Sequence, residues 1–428
     1  MNTRATKLLL LLLCSMTSGI IYSQMEINRM TLYGNEWIDY NQFYYKIPVA
    51  EDGVYRLTYQ ELQTAGVFSE TTVPTGANFQ IFHEGEEIPI YVTNNGTFTS
   101  GDYLEFYGKK NTGNLDIHLY QNSRREQLNP EYSMHTDTAI YFLTWNSSTA
   151  NNHYLTEYNS TANPPAAEPY FWHEEKLVYG DHYQQGEDRS NNGLGLAPRY
   201  GLAEGYATKD FLKDQSVDLS FSNPYLNGPD ANIRLRLGTR SGNHSLRVLF
   251  DGDTTVYSNF GGWTADNYSF STSTANLSSN NTLRILGVES SEDQYIIASI
   301  ISIYPRTFDF DNTNSFFFKI PSNKVDRYLE ISNFDHGGVA PVLYDVTNQR
   351  RLLTDLDNGI VKVLLSPFDG ERELVLVSSV GHKSATSIDK REFANYDFSE
   401  TGTDYDYIIL SHPTLINDAN NYVQQYAD

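Results

Sequence analysis

The chain has 428 residues, with 53 Asp and Glu against 30 Lys and Arg, for a formal net charge of −23. Such a surface repels nucleic acid and anionic lipid, and the length exceeds one ordinary core, so two to four domains are expected. Aromatic residues are abundant (32 Tyr, 22 Phe, 4 Trp) beside many Gly, Asn, Ser and Thr, a mixture that suits sheets joined by turns; the single cysteine, Cys14, excludes a disulfide framework.

Residues 1–23 read as an export signal. Arg4 and Lys7 form a charged start, Leu8 to Leu13 an apolar core extended by Met16, Ile20 and Ile21, and Ser23 a small residue at a cleavage point before Gln24. The apolar stretch is too short and interrupted to span a bilayer, and no other segment is suited to it. Leu13 before Cys14 is too bulky for a lipoprotein cleavage site. A mature chain from Gln24 therefore has no thiolate ligand and no cysteine nucleophile.

Residues 24–160 are expected to form a β-rich domain. "FYYKIPVAEDGVYRLTY" places two β-rich runs around Asp52-Gly53, a hairpin signal, and "FQIFHEGEEIPIYV" repeats the device around Gly85. "DYLEFYG" and "TAIYFLTW" add strands, and Tyr59 to Leu62 is a short helix before Gly66. Residues 161–217, with Pro164-Pro165, Pro169 and "QQGEDRSNNGLGLAPRYG", have the composition of a linker or long loops. The cluster Tyr170-Phe171-Trp172-His173 inside them suits packing against a neighbouring domain or stacking on a sugar.

Residues 218–310 read as a jelly-roll-like two-sheet sandwich. In "NIRLRLGTRSGNHSLRVLFDGDTTVY", Ile233, Leu235, Leu237, Leu246, Val248 and Phe250 take the inward phase and Arg234, Arg236 and Arg247 the polar one. "NTLRILGV" and "YIIASIISIYPRTF" supply later strands. A smaller β segment, 315–380, holds "FFFKI", "RYLEI", "VLYDV", "IVKVLL" and "ELVLV"; residues 381–404 are a polar, turn-rich connector. At 405–428 an apolar run, Tyr407 to Leu410, precedes Leu415, Ala419, Tyr422, Val423 and Tyr426 at helical spacing, the pattern of a strand, a turn and an amphipathic helix. The fold class is thus mainly β, followed by the first strand and helix of an α/β domain.

Chemistry-bearing strings are few. Asp335-His336-Gly337-Gly338 places a His-Gly pair at a strand end, but a base needs a nucleophile within reach, and neither cysteine nor a G-x-S-x-G string supplies one; a glycine-rich turn is the reading. Asp309-Phe310-Asp311-Asn312-Thr313-Asn314 has oxygens suited to Ca²⁺ but lacks the glycine and distal glutamate of an EF-hand, and reads as a solvated turn. The ten histidines show no zinc spacing. Asn95-Gly96-Thr97 and Asn146-Ser147-Ser148 mark exposed loops.

The stretch "YDYIILSHPTLINDANNYVQQY" resembles the opening strand and helix of a gingipain-type (C25) cysteine peptidase domain. "WIDYNQFYYKIPVAEDGVYRLTYQELQTAG", "DYLEFYGKKN" and "TDTAIYFLTWN" resemble the N-terminal region of the PorU-type sortases of the type IX secretion system, and "DHGGVAPVLYDVTNQRRL" and "SIYPRTF" fit the same long proteins. The resemblance implies a caspase-like domain, a parallel sheet flanked by helices, truncated in this chain, with a His-Cys dyad on later strands beyond Asp428. His412 matches no catalytic position and His336 precedes that domain, so no catalytic, cofactor-binding or metal-ligating residue is assigned here, and no cofactor. The function implied is the N-terminal portion of a secreted cysteine peptidase or transpeptidase, inactive alone, with peptide or protein substrate met through the missing domain. Its expected place is the cell surface, outer membrane or exterior, with other secretion components or a surface glycan as further partners. A non-enzymatic surface module that binds glycan or a partner protein is the alternative.

Overall fold

The computed structural model describes residues 26–27, 30–31, 35–148, 150–187, 199–394, 409 and 411–426. The signal peptide lies outside them, as does the strand expected at 407–410 except for Ile409. The fold is mainly β, as expected, and is built from three sandwiches, the last two of which share one nine-stranded sheet.

In the first sandwich, strands Tyr44–Val49, Phe79–His83, Glu86–Ile88 and Ala139–Trp145 form one sheet. Gly53–Thr58, Ile90–Val92 and Tyr103–Gly108 form the other. Alternate residues meet between the sheets: Tyr45, Ile47, Phe79 and Leu143 from one, Leu57, Ile90, Leu104 and Phe106 from the other, all buried. The helix Tyr59–Thr64 starts on a capping box of Thr58 and Glu61 and is followed by Gly66 at φ 90°. The hairpin at Glu84-Gly85 is present, with φ 50° and 85° at its two central residues and His83 opposite Glu86.

The hairpin expected at Asp52-Gly53 is not formed. The flanking strands belong to different sheets, one paired with Ala139–Trp145 and the other with Tyr103–Gly108. The Asp52 carboxylate accepts a hydrogen bond from the Lys110 backbone N–H at 2.7 Å instead of closing a two-residue turn. The chain crosses the sandwich here because both flanking runs carry apolar side chains that need the same core.

The second sandwich sets Asp214–Leu219, Asn243–Phe250, Asp253–Gly261 and Asn281–Gly287 against Ala231–Gly238, Ala265–Thr272 and Ile296–Arg306. The six residues assigned to the inward phase all lie in its core. Of the three arginines assigned outward, Arg247 is exposed and Arg234 half-buried, but Arg236 is buried. Its Nη2 donates to the Gln127 carbonyl at 2.5 Å and its Nε to the Leu128 carbonyl at 3.2 Å. A loop of the preceding region covers this face, and burial lowers the Arg236 pKa to about 10.

In the third sandwich, Ser315–Ile320, Val342–Asp345, Arg350–Leu353 and Arg372–Val377 face Asp309–Thr313, Arg327–Phe334, Asp355–Asp357 and Ile360–Leu365. Phe310, Phe318, Leu329, Ile331, Leu343 and Leu374 fill its core.

The tract read as linker contains strand Phe171–Val178, which joins the last two sandwiches. It pairs along its whole length with Ile296–Arg306 and once, at Trp172↔Lys319, with Ser315–Ile320, inside a nine-stranded sheet. Its aromatic and aliphatic residues favour a pleated, half-buried setting over the loop suggested by the flanking prolines. Phe171 is buried with its ring 5.1, 6.0 and 5.6 Å from those of Phe308, Phe310 and Phe318. Among the described residues no helix is long and apolar enough to cross a membrane.

Replacing Phe171 with Ala should cost about 3–5 kcal/mol, the usual range for emptying an aromatic core position. Urea unfolding of the two proteins measures it; a loss under about 1 kcal/mol would mean that the joining strand is not held by this ring.

Candidate functional site

The most concentrated chemistry lies where the first sandwich meets the third. Glu105, in the middle of Tyr103–Gly108, has a side chain only 1 % exposed. Its neighbours Leu104 and Phe106 face the sandwich core, so the pleat turns Glu105 to the opposite face. Directly across the strand pair is Arg56, whose Nε and Nη2 lie 2.8 and 2.6 Å from Oε1. His382 Nε2 lies 2.8 Å from the same oxygen. The Tyr344 hydroxyl donates to Oε2 and accepts from Arg351 Nε at 3.1 Å. The Arg351 guanidinium sits 3.9 Å above the Tyr91 ring and that of Arg56 4.1 Å above Tyr103.

Burial alone would raise the Glu105 pKa, because it penalises the charged form. The His382 ring, the Tyr344 hydroxyl and Arg56 outweigh it and lower the value to about 2. Tyr344 responds in the opposite sense: burial and the adjacent carboxylate push its hydroxyl well above the ordinary value. His382 Nε2 faces Glu105, while its Nδ1 is buried without a hydrogen-bond partner among the described residues.

The segment after the third sandwich runs back along the first. Lys383 N–H donates to the Val54 carbonyl at 2.8 Å, its carbonyl accepts from Arg56 N–H at 2.9 Å, and its ammonium pairs with Glu51 at 2.5 Å. Ala385 and Ile388 pack on the first core. Strand Asp389–Arg391 then pairs antiparallel with Tyr44–Val49. Lys390 reaches Glu70 at 2.6 Å, and the Phe393 ring meets those of Tyr44, Phe142 and Trp37 at 5.1, 5.4 and 5.6 Å. Part of the tract expected to be a polar, turn-rich connector is therefore an edge strand of the first sandwich. Its polar sequence, Asp389-Lys390-Arg391, gives no apolar alternation, and all three residues are exposed. After the described part of this segment ends at residue 394, helix Ile416–Tyr426 is formed where an amphipathic helix was expected.

This assembly holds a segment in place; it contains no nucleophile beside a base. His336 lies in an exposed turn, its Nδ1 accepting from Gly338 N–H at 3.0 Å, with Gly337 and Gly338 at φ 64° and 83°. Asp309 and Asp311 are engaged by protein donors: Asn333 and Asn223 each reach them at 2.6 Å, and Arg306 pairs with Asp311 at 2.6 Å. Their oxygens are thus spent on protein donors, and the segment read as a solvated turn is instead strand Asp309–Thr313, held by the burial of Phe310 in the third core. His412 is exposed and its Nδ1 lies 2.8 Å from Thr414 Oγ1, bracing the turn Pro413–Leu415. Asn95 is exposed, and Asn146 half-buried with its amide on Gln80. A pair overlooked in the sequence is His244–Asp293, 3.2 Å apart and buried. His244 Nε2 lies 2.8 Å from the Arg240 carbonyl, and Asp293 accepts the N–H groups of Ser245 and Glu289 at 3.0 Å, so both groups are committed to structure. Among the described residues no three His, Cys, Asp or Glu are grouped to hold a metal ion.

No family model matches the chain, and no curated protein matches it. Among solved structures it is similar to dimeric latent PorU from Porphyromonas gingivalis, with a TM-score of 0.53 at 12 % identity, over 82 % of this chain and 33 % of that one. This chain has a PorU-like fold. It spans about a third of that protein's length. A family 36 carbohydrate-binding module of a multidomain xylanase from the hindgut metagenome of Trinervitermes trinervoides aligns with 31 % of this chain and 96 % of its own, at 13 % identity and a TM-score of 0.19. A family 35 module from Clostridium thermocellum aligns with 30 % and 97 %, at 10 % identity and 0.20. At those scores neither likeness bears on the fold.

The Glu105 pKa, lowered from 4.5 to about 2, makes stability depend on pH. The stabilisation is complete above the unfolded carboxylate's range and is lost as pH falls from about 4.5 towards 2. A shift of this size corresponds to about 3 kcal/mol. Glu105→Gln should therefore unfold more easily at pH 7 by about that amount, with the gap to the unaltered protein closing in acid. Urea titrations at pH 7, 4 and 2.5 check this; parallel pH dependences in the two proteins would refute it.

Proposed function

We propose that this chain is the β-rich front part of a PorU-like cysteine peptidase or transpeptidase, and that its sandwiches hold the entry to a catalytic domain. The observation that carries the reading is the PorU-like fold over 82 % of the chain. The C25-type resemblance of the last two dozen residues, "YDYIILSHPTLINDANNYVQQY", supports it.

The clamp gives the front part a role in that scheme. Residues 382–393 are tied to both sheets of the first sandwich through the Lys383 backbone bonds, the Asp389–Arg391 pairing and Phe393. The first sandwich thereby limits where the chain can go next. The turn Pro413–Leu415 and helix Ile416–Tyr426 follow, with Leu415 in the turn and Ile416 and Tyr422 on the helix about half exposed. In the proposed protein those side chains are covered by the rest of the α/β domain. Catalysis falls to a His-Cys dyad beyond Asp428: the thiolate attacks a peptide carbonyl with the imidazole as base, and either water or an amine releases the acyl group. Export follows from Arg4, Lys7 and the apolar core after them.

Sequencing the gene beyond the Asp428 codon tests the reading directly. An open frame that encodes an α/β domain with a His-Gly pair and a later cysteine is expected. The full product should then cleave or transfer peptides and lose that activity on cysteine alkylation. A stop codon immediately after Asp428, or a downstream domain without a cysteine, would overturn the proposal.

A further inference from the structure

The nine-stranded sheet has a gap in it. Phe171–Val178 and Ser315–Ile320 are neighbours, yet they share a single register pair, Trp172↔Lys319. Each is fully paired on its other side, with Ile296–Arg306 and Arg372–Val377 respectively. Beyond Trp172 no further register pair joins the two strands among the described residues, although the His173 and Phe316 rings still stack across them at 5.8 Å.

The direction of the backbone groups follows from one hydrogen bond. Tyr179 N–H donates to the Ala298 carbonyl, on the Ile296–Arg306 side. Along an antiparallel strand, N–H and C=O groups of successive residues point to alternate sides. Those of Glu174, Lys176 and Val178 therefore point away from Ile296–Arg306, towards Ser315–Ile320, where register pairing stops after Trp172. Three alternate bonding positions thus face the gap, over roughly 13 Å at ~3.3 Å per residue.

A groove of about 550 Å³ opens at this place. Its lining includes consecutive residues, Trp172-His173-Glu174 of one strand and Phe317-Phe318-Lys319 of the other. Successive side chains of a strand point to opposite faces, so a lining of consecutive residues presents backbone edge as well as side chains. The first sandwich supplies the roof through Asp52, Lys110 and Thr112. Trp172 and Phe317 offer aromatic surface. Lys176 is shared between Glu131 and Glu174, and Lys319 between Glu371 and Glu373. The Lys110 ammonium makes no ion pair within 4 Å among the described residues, although its charge reaches Glu51. On a chain of net charge −23, an unpaired lysine over an open strand edge favours an acidic group on whatever enters.

We infer that this cleft is a strand-addition site: an extended peptide enters between Phe171–Val178 and Ser315–Ile320, bonds to both free edges, and turns acidic side chains towards Lys110. Main-chain bonds supply affinity that tolerates sequence, while alternate side chains supply preference. An inserted strand also removes two edges that otherwise stay open inside a sheet. A sugar would use the aromatic surface alone and leave the backbone positions unmatched.

The test uses the chain from Gln24 to Asp428 and two fluorescein-labelled decapeptides, five repeats of Val-Glu and five of Val-Lys, followed by anisotropy. The Val-Glu peptide should bind saturably in the micromolar range and the Val-Lys peptide at least ten-fold more weakly. A Val-Glu peptide N-methylated at alternate residues should also lose at least ten-fold, and hydrogen exchange at Glu174, Lys176 and Val178 should slow only with the unmethylated peptide. Lys110→Glu should narrow the difference between the two sequences without changing the fold. Failure of both decapeptides to bind would overturn the inference, as would equal binding of the methylated form or protection confined to another region. Quenching of Trp172 by cellotetraose without peptide binding would overturn it in favour of a glycan. None of these outcomes depends on a downstream dyad, so the cleft and the proposed peptidase can fail separately.

Discussion

A carboxylate sealed from water stays ionised only if other groups replace its hydration, and Glu105 is such a carboxylate. Its partners come from four separate stretches: Arg56 on the adjacent strand, Tyr344 and Arg351 on the third sandwich, and His382 on the returning segment. Hydrogen bonds are directional, unlike apolar contacts, which would accept many sliding arrangements of two sandwiches. The bonds to Glu105 fix one arrangement. Whether a buried ion network adds net stability over an apolar equivalent is a separate matter from the specificity it confers; here two sandwiches and the returning segment meet on one side chain.

That placement reaches the sheet gap. The strand that bears Glu105 ends at Gly108, and Lys109 and Lys110 follow it directly. Lys109 extends to Glu373 of the third sandwich at 2.6 Å, while Lys110 overhangs the cleft beside Trp172. The Tyr107 ring lies parallel to that of Phe317, 6.0 Å away. The roof of the groove and its floor thus belong to different sandwiches and are kept in register by the same buried contacts. The clamp on residues 382–393 uses the same sandwich, through Glu51 and the Val54–Arg56 edge. Holding the following segment and presenting the cleft are both tasks of the first sandwich.

Several features were legible because they are local. The Thr58–Glu61 capping box, the Glu84-Gly85 turn and the inward residues of "NIRLRLG" each depend on a few neighbours in sequence. The glycine-rich turn at His336-Gly337-Gly338 is present, with both glycines at positive φ. Asp52-Gly53 misled because the same two residues serve a tight hairpin or a crossing between sheets, and only the position of Lys110 separates the two. The Phe171–Val178 strand was hidden by prolines and glycines around it. Arg236 obeyed its polar phase, yet the loop that covers that face lies more than a hundred residues earlier in the chain.

Alternation, turn residues and the shortage of cysteine were enough, without coordinates, to establish a mainly β chain with a sandwich at 218–310 and no cysteine after Cys14. These properties follow from side-chain period and composition, which any stretch of a few residues carries with it. The tertiary structure alone decided which sheet each strand joins, that Glu105 is buried, that residues 382–393 return to the first sandwich, and that two neighbouring strands part after Trp172. Each depends on pairing between residues tens to hundreds of positions apart. A backbone edge has no sequence signature of its own: every residue except proline offers the same donor and acceptor, and only the neighbour found in three dimensions determines whether they are used.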